Sequence, residues 1–449
     1  MGYVQELPRS LSMITVLGLS FAIMAVPFGL STTMAIGLTD GGPVTVLWGW
    51  CIVSLISLAI AASLAEICSV FPTSGGVYYW SHLLSKPRYA PIASWITGWL
   101  GLVGNWTVTL SINFSFALLI LSAISLWNED FVATPWQTVL CFWAVMLVCT
   151  VINIWGNKWL DKLNTICIYW TAASVLIILV TVLAKSPSSA KRSGKFVFSG
   201  YDATASGWPA GWAFFVGLLQ AAYTLTGYGM VAAMCEEVQN PDREVPKAMV
   251  LSVAAAAVTG IVYLIPVLFV LPDIAILLAA PLGQPIPVLF KEVTGSPGGG
   301  FGLLFLILGI ALFAGVGSLT ASCRCTWAFS RDGGIPFSRV WSKVNKRYDV
   351  PVNALLLSAA VDCLLGLIYL GSSAAFNAFT GVATICLSVS YGIPILVSLL
   401  RGRKLVRNAT FSLGRFGVII NVITVIWISF AIVLFTMPTA IPVTPVTMS

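Results

Sequence analysis

Long apolar runs separated by short polar stretches recur from one end of the chain to the other. A helix needs about 20 apolar residues to cross roughly 30 Å of hydrocarbon. Eleven stretches meet that length: 12-36, 43-69, 91-124, 135-155, 163-184, 210-233, 248-271, 301-328, 352-371, 374-400 and 413-437. The first run is too long for the core of a cleavable signal peptide and lacks a small-residue cleavage site after it. The pattern therefore predicts an all-α, multi-pass integral membrane protein of eleven transmembrane helices.

Composition agrees and supplies a direction. Of 449 residues, 58% are hydrophobic and only 9% charged, with a mean hydropathy of +0.95. That is more apolar surface than a water-soluble domain can hide. With the amino terminus in the cytoplasm and alternating connections, 18 of the 23 Lys and Arg residues face inward. The five outside are Lys185, Lys191, Arg192, Lys195 and Lys291. This bias satisfies the positive-inside rule, so the net charge of +7 reads as topology and not as a nucleic-acid surface. Glu6 stands where a myristoylation signal wants Ser or Thr. None of the ten Cys falls in a predicted external loop, which argues against a disulfide framework. Cys323 and Cys325, two apart on a helix, point to different faces and make a poor metal pair. The Asn105, Asn113 and Asn408 sequons lie in predicted helices or on the cytoplasmic side, and Trp48, Trp50, Trp95 and Trp99 read as interfacial belt residues.

The chemistry that remains is that of binding. No nucleophile-base-orienter set and no phosphate-binding loop is present, and His82, the only histidine, lies in a cytoplasmic loop. Neither an enzyme, a cofactor, a metal site nor an ATP-driven pump is expected. Two helices instead carry interruptions five helices apart: helix 1 reads "AVPFGLSTT", with Pro27 and Gly29, and helix 6 reads "YTLTGYGM", with Gly227 and Gly229. Paired breaks point to an inverted repeat with the substrate at the unwound segments. The expected organisation is a short cytoplasmic amino terminus (1-11), helices 1-5 (12-184), helices 6-10 (210-400) and a peripheral helix 11 (413-437). Unwinding frees N–H groups at the start of one half-helix and C=O groups at the end of another, and a zwitterion can use both. Taken singly, each break can also be a kink or a close packing point. Phe28, Gly29, Leu30, Ser31, Tyr223, Thr226, Gly227 and Tyr228 flank the breaks, and Trp106 and Phe313 are candidate walls. The polar knot "CEEVQNPDREVP" (235–246) reads as the cytoplasmic connection between helices 6 and 7, with Pro241 and Pro246 stopping helix 6. Asp362 is the one acid well inside a span, a proton-linked candidate or a neutral or paired structural acid.

Three segments, "SLAEICSVFPTSGGVYYW", "GYGMVAAMCEEVQNPDREVPKAM" and "SRDGGIPFSRVWSKVNKRYDVPVNA", resemble signatures of the amino acid-polyamine-organocation transporters. Through "FGLSTTMAIGLTDGGP" the chain is most similar to the fungal amino acid, GABA and choline permease branch. The resemblance implies a five-plus-five inverted-repeat core, alternating access, and a site between helices 1, 3, 6, 8 and 10. It makes Glu66, Glu237, Arg324 and Arg331 candidates for ion pairs that close the inward side, against ordinary capping and solvation. Three departures stand out. The family usually has twelve helices, whereas this chain stops at Ser449 after helix 11, by truncation or by loss of a peripheral part. Gly229 replaces an acid found after the helix 6 Gly-aromatic pair in some members. Trp170 occupies the place nearest to a proton-coupling lysine of a relative. The expected function is secondary transport of small amino acids or related amines, with a GABA-like zwitterion favoured. A choline or polyamine permease and a non-transporting nutrient receptor are the alternatives. The partners implied are the substrate, a possible coupling proton and the lipid bilayer, in the plasma membrane first and an internal membrane second.

Overall fold

A computed structural model describes residues 9, 11–372, 374–407 and 409–443, and the helical expectation holds throughout them. Glu6, Asn408 and Ser449, which the sequence reading used, lie outside the described residues. The first apolar run is not one helix. Helix α1 (Met13–Met24), capped by the Ser12 hydroxyl, ends at Ala25, where the backbone turns left-handed at φ 42° and ψ 50°. Helices α2 (Val26–Thr32) and α3 (Met34–Thr39) continue it toward the next span. Pro27 sits in the first turn of α2, where a missing N–H breaks no helical bond. The proline therefore starts the outer half, and the rupture itself falls at Ala25.

The chain continues through α4 (Gly42–Val70), a short α5 (Gly76–Leu84), α6 (Ala90–Ile124), α7 (Pro135–Trp155), α8 (Leu160–Lys185) and α9 (Gly194–Ser199). Local chemistry sets these ends: α7 starts on a reciprocal Thr134–Gln137 capping box with Pro135 behind it. The predicted sixth span crosses in three pieces, α10 (Ala210–Gly217), α11 (Leu219–Thr224) and, after a turn at Gly227, a 3-10 stretch Met230–Glu237. Among the described residues, ten spans are long and apolar enough to cross a membrane, not eleven, with the broken Met13–Thr32 counted as one of them, and the fragmented sixth span accounts for the difference.

Asn240 turns left-handed and Pro241 opens α12 (Pro241–Phe269), which contains Pro246. The second half of the polar knot is thus the start of a helix and not a loop. Asp242 and Glu244 lie in its first turn, where the helix dipole favours acids. Then come α13 (Ile274–Leu278), α14 (Pro285–Thr294), α15 (Pro297–Arg331), α16 (Ser338–Trp341), α17 (Val352–Gly366), α18 (Ala375–Leu400) and α19 (Gly417–Leu434).

The interior forms where α4 packs on α12, α6 on α15 and α18, and α1 on α8, α12 and α15. Small residues allow the close approaches. Trp50 of α4 is fully buried against Gly260 of α12, and its indole N–H donates to Ala257 O at 3.0 Å. It is an interior residue, not part of an interfacial belt. Helix α19 lies outside α4 and α18. Leu147, Tyr169, Leu364 and Ile426 are exposed on α7, α8, α17 and α19, as side chains facing lipid must be.

Candidate functional site

The two breaks meet. Because Ala25 leaves the helical register, α2 begins afresh: Gly29 N–H is the first to bond back, to Ala25 O at 2.9 Å, and the N–H groups before it have no partner within the helix. Opposite them α11 ends, and Gly227 turns the chain at φ 107°. The halves touch at Gly29, where an added Cβ would stand 2.7 Å from Thr224 Cγ2. A cavity of about 10 Å³ lies between them, lined by Ala25, Phe28, Gly29, Tyr223, Thr224 and Thr226 on the break side and closed by Val108 and Ile112 of α6. Such a volume holds about one water, so the centre is contracted. No charged side chain lines it.

The structure brings Phe28, Gly29, Tyr223 and Thr226 together at this point, with Gly227 adjacent through Ile23. Thr226 Oγ1 donates to Ala222 O at 2.5 Å, and the Tyr223 hydroxyl pairs with Ser111 of α6 at 2.8 Å. Tyr228 lies below, its ring 5.5 Å from that of Tyr391. Four predicted residues are directed elsewhere. Ser31 pairs with Tyr263 of α12 at 2.7 Å. Leu30 offers its carbonyl to Gln220 and does not line the cavity. The Trp106 indole N–H reaches Ser358 and Thr326 at 3.1 and 3.3 Å, tying α6 to α17 and α15. Phe313 is half-buried and also absent from the lining. Trp106 and Val108 differ by two residues, about 200° around a helix, so the face of α6 that meets the breaks is the one with Val108 and Ile112. Thr224 and the end of α1 were missed as well. Their only sequence signal was adjacency to the breaks.

Ion pairs tie the end of the molecule that the sequence reading places in the cytoplasm. Arg324, fully buried on α15, donates from Nε to Glu237 Oε1 at 3.0 Å and from Nη2 to Asn157 Oδ1 at 2.9 Å. Arg331 pairs with Glu236 at 3.0 Å and stacks 4.4 Å over the Trp327 ring. The Glu236 N–H donates to Ser74 Oγ at 3.1 Å, and the Tyr78 hydroxyl to Asp332 at 2.8 Å. Leu11 adds backbone bonds to Glu237 and Gln239. Glu66 belongs to a different cluster: both its oxygens accept from Arg403 Nη2 at 2.6 Å, and Leu413 N–H donates to it at 2.9 Å. It anchors α4 to the segment between α18 and α19. Glu236, passed over in favour of its neighbour, holds Arg331.

The opposite end is looser. A vestibule of about 390 Å³ opens there, bordered by Thr32 and Thr39 of the first span, Gln284, Tyr369 and Asn377. Two further sequence candidates lie outside the centre. Asp362 is buried in α17 with neither oxygen hydrogen-bonded, one turn beyond the Ser358–Thr326 contact. Trp170 sits against Gly309 and donates to Leu306 O at 3.0 Å, so it packs α8 on α15.

Comparison with known proteins accords with this arrangement. A family model described as amino acid permease matches residues 11–449. The amino-acid permease BAT1 homolog of Oryza sativa subsp. japonica is 37% identical, over 100% of this chain and 88% of its own length. The polyamine transporter TPO5 of Saccharomyces cerevisiae is 34% identical over 100% and 73%, and a choline transporter of the same yeast 33% identical over 98% and 77%. The chain is a multi-pass membrane protein that belongs to the amino acid permease family of the amino acid-polyamine-organocation superfamily, whose members are permeases and not enzymes.

Proposed function

We propose that the chain carries a small compound with both an ammonium and a carboxylate, such as GABA or an α-amino acid, across the membrane by alternating access. One observation carries this reading: two half-helix ends of opposite polarity face one cavity that no charged side chain lines. Free N–H groups at the start of α2 suit a carboxylate, and carbonyls at the end of α11 suit an ammonium. The related permeases are named for amino acids, polyamines and choline. A polyamine brings several positive charges and needs carboxylates that this cavity lacks. Choline needs an aromatic cage, but Tyr228 packs on Tyr391, which leaves Phe28 and Tyr223 beside the breaks.

In this reading the Arg324–Glu237 and Arg331–Glu236 pairs close the cytoplasmic side while the vestibule receives substrate. The two broken spans lead two inverted repeats, and the plasma membrane is the proposed location. Counterflow in proteoliposomes tests transport: internal unlabelled amino acid should drive uptake of labelled amino acid above equilibrium. Saturable binding without exchange would make the chain a nutrient receptor of the same fold.

A further inference from the structure

The outer halves of the two broken spans meet along a seam of close contacts. Besides Gly29 against Thr224, Gly37 of α3 is covered by the Gln220 side chain of α11. At the top, a Cβ on Gly217 of α10 would stand 2.9 Å from Asp40 Cβ and 2.5 Å from Thr45 Cγ2. Asp40, just past α3, is thus wedged where the first span, the start of α4 and α10 converge. Its exposure is 0%, and no hydrogen bond reaches either carboxyl oxygen.

The hydroxyls nearby have other acceptors. Thr45 donates to the Asp40 backbone carbonyl at 2.9 Å, Tyr201 to Ala210 O, and Ser206, which lies beside the carboxyl, to Ala203 O at 3.1 Å. The surrounding elements bring few titratable groups. The segment before α10 carries Tyr201 and Asp202, α9 carries Lys195, α13 is capped by Asp273, and α14 holds Lys291 and Glu292. Lys291 pairs with Glu129 at 2.6 Å, and Arg192 is held by the Leu271 and Pro272 carbonyls. The remaining neighbours offer Cys51 on α4 and Tyr223 on α11, and α10 carries none.

We propose that Asp40 is a proton-binding site that latches the outer ends of the two broken spans: the neutral carboxyl lets the seam close, and its ionisation parts it. An anion there is shut off from bulk solvent with only the Ser206 hydroxyl beside it, and a buried charge of that kind is far costlier than the neutral acid. Burial accordingly pushes the Asp40 pKa from 3.8 up to about 8, against a smaller lowering effect of the Ser206 hydroxyl. The sign follows from linkage. Below the ordinary carboxyl value the group is neutral whether the seam is open or closed, and closure carries no electrostatic penalty. As pH rises toward about 8 the open, hydrated form ionises first, and the advantage of closure is lost. The proton enters and leaves from the outer side, so the device senses external acid and is not a translocation site.

The inference rests on the reading that these half-helices part during transport, but its test needs no substrate. A cysteine placed at Ala35, on the vestibule wall, is labelled by a membrane-impermeant maleimide, with the parent protein as background, and each rate is taken relative to a fully exposed reference cysteine at the same pH, because the thiolate is the form that reacts. Raising external pH from about 5 to about 8.5 should raise this relative rate roughly threefold or more through the linkage above. Adding Asp40→Asn, neutral at every pH, should hold the slow rate at both. A pH-independent rate with Asp40 intact ends the proposal, whether or not the Asn variant folds. So does an Asn variant that follows the parent curve or labels fast throughout. Intact counterflow with pH-independent labelling removes only the latch. PH-dependent labelling without counterflow removes only the transport reading.

Discussion

Gly227 meets the strictest local demand at the centre. At φ 107° it occupies backbone space that side-chain-bearing residues avoid, and an added Cβ would stand 2.8 Å from Ile23 Cγ2. Gly227→Val adds a β-branched side chain against both constraints. Strain of this kind costs about 1–3 kcal/mol, so substrate affinity should fall about five- to a hundredfold at unchanged surface abundance. Binding on membranes matched for expression reads this directly. Unchanged affinity removes Gly227 from the open segment. Residue identity made Gly227 legible in the sequence, since a glycine beside an aromatic within an apolar run signals unusual backbone. Ser31 was misplaced for the converse reason. A hydroxyl next to a break marks no direction, and the choice between cavity and Tyr263 depends on how α12 packs.

At the scale of elements, apolar run length located the continuous spans within a few residues because hydrocarbon thickness sets it, except that α12 starts in the polar knot at Pro241, seven residues before the predicted 248. The interruptions were legible as composition but not as geometry. Pro27 signalled helix 1, yet the left-handed residue is Ala25, and the sixth span broke into pieces too short to count as one helix. Cytoplasmic pairing was least legible. Glu66 and Arg403 are separated by 337 positions, and nothing local distinguishes that partnership from one with Arg324 or Arg331. The prediction at this scale concerns the Arg324–Glu237 tie between α15 and the 3-10 end of the sixth span. Glu237→Gln leaves a guanidinium with 0% side-chain exposure without its counter-charge, a loss of about 3–5 kcal/mol when a buried pair is broken from one side. If the pair is a gate, that energy shifts the balance toward the inward-open form. Labelling from the cytoplasmic side and transport rate then change, while equilibrium binding at the centre is kept. If the pair is scaffold, the purified variant melts lower and transports normally per folded molecule.

The whole molecule unites one end tied by buried ion pairs, a contracted and uncharged centre, and a vestibule at the other end. On the proposed reading of the centre as the substrate site, selection follows from that combination. The centre offers backbone dipoles of both signs but no fixed charge, so a ligand that is itself neutral overall can be desolvated there without leaving an unpaired ion. A net cation cannot, unless ring faces compensate. A single favourable cation–ring contact is worth about 0.5–2 kcal/mol, and Phe28 and Tyr223 are the rings lining the cavity. The decisive measurement is competition against a transported amino acid by GABA, its amide, its methyl ester and choline. The amide and ester keep the ammonium and nearly the same shape, so they report the carboxylate alone. Loss of a charge-assisted contact costs about 1.5–3 kcal/mol, and each masked compound should compete roughly ten- to a hundredfold less well than GABA. Choline should compete no better than the ester. Should choline or the ester match GABA, the N–H groups at the start of α2 do not read a carboxylate, and the centre selects the ammonium through its aromatic rings.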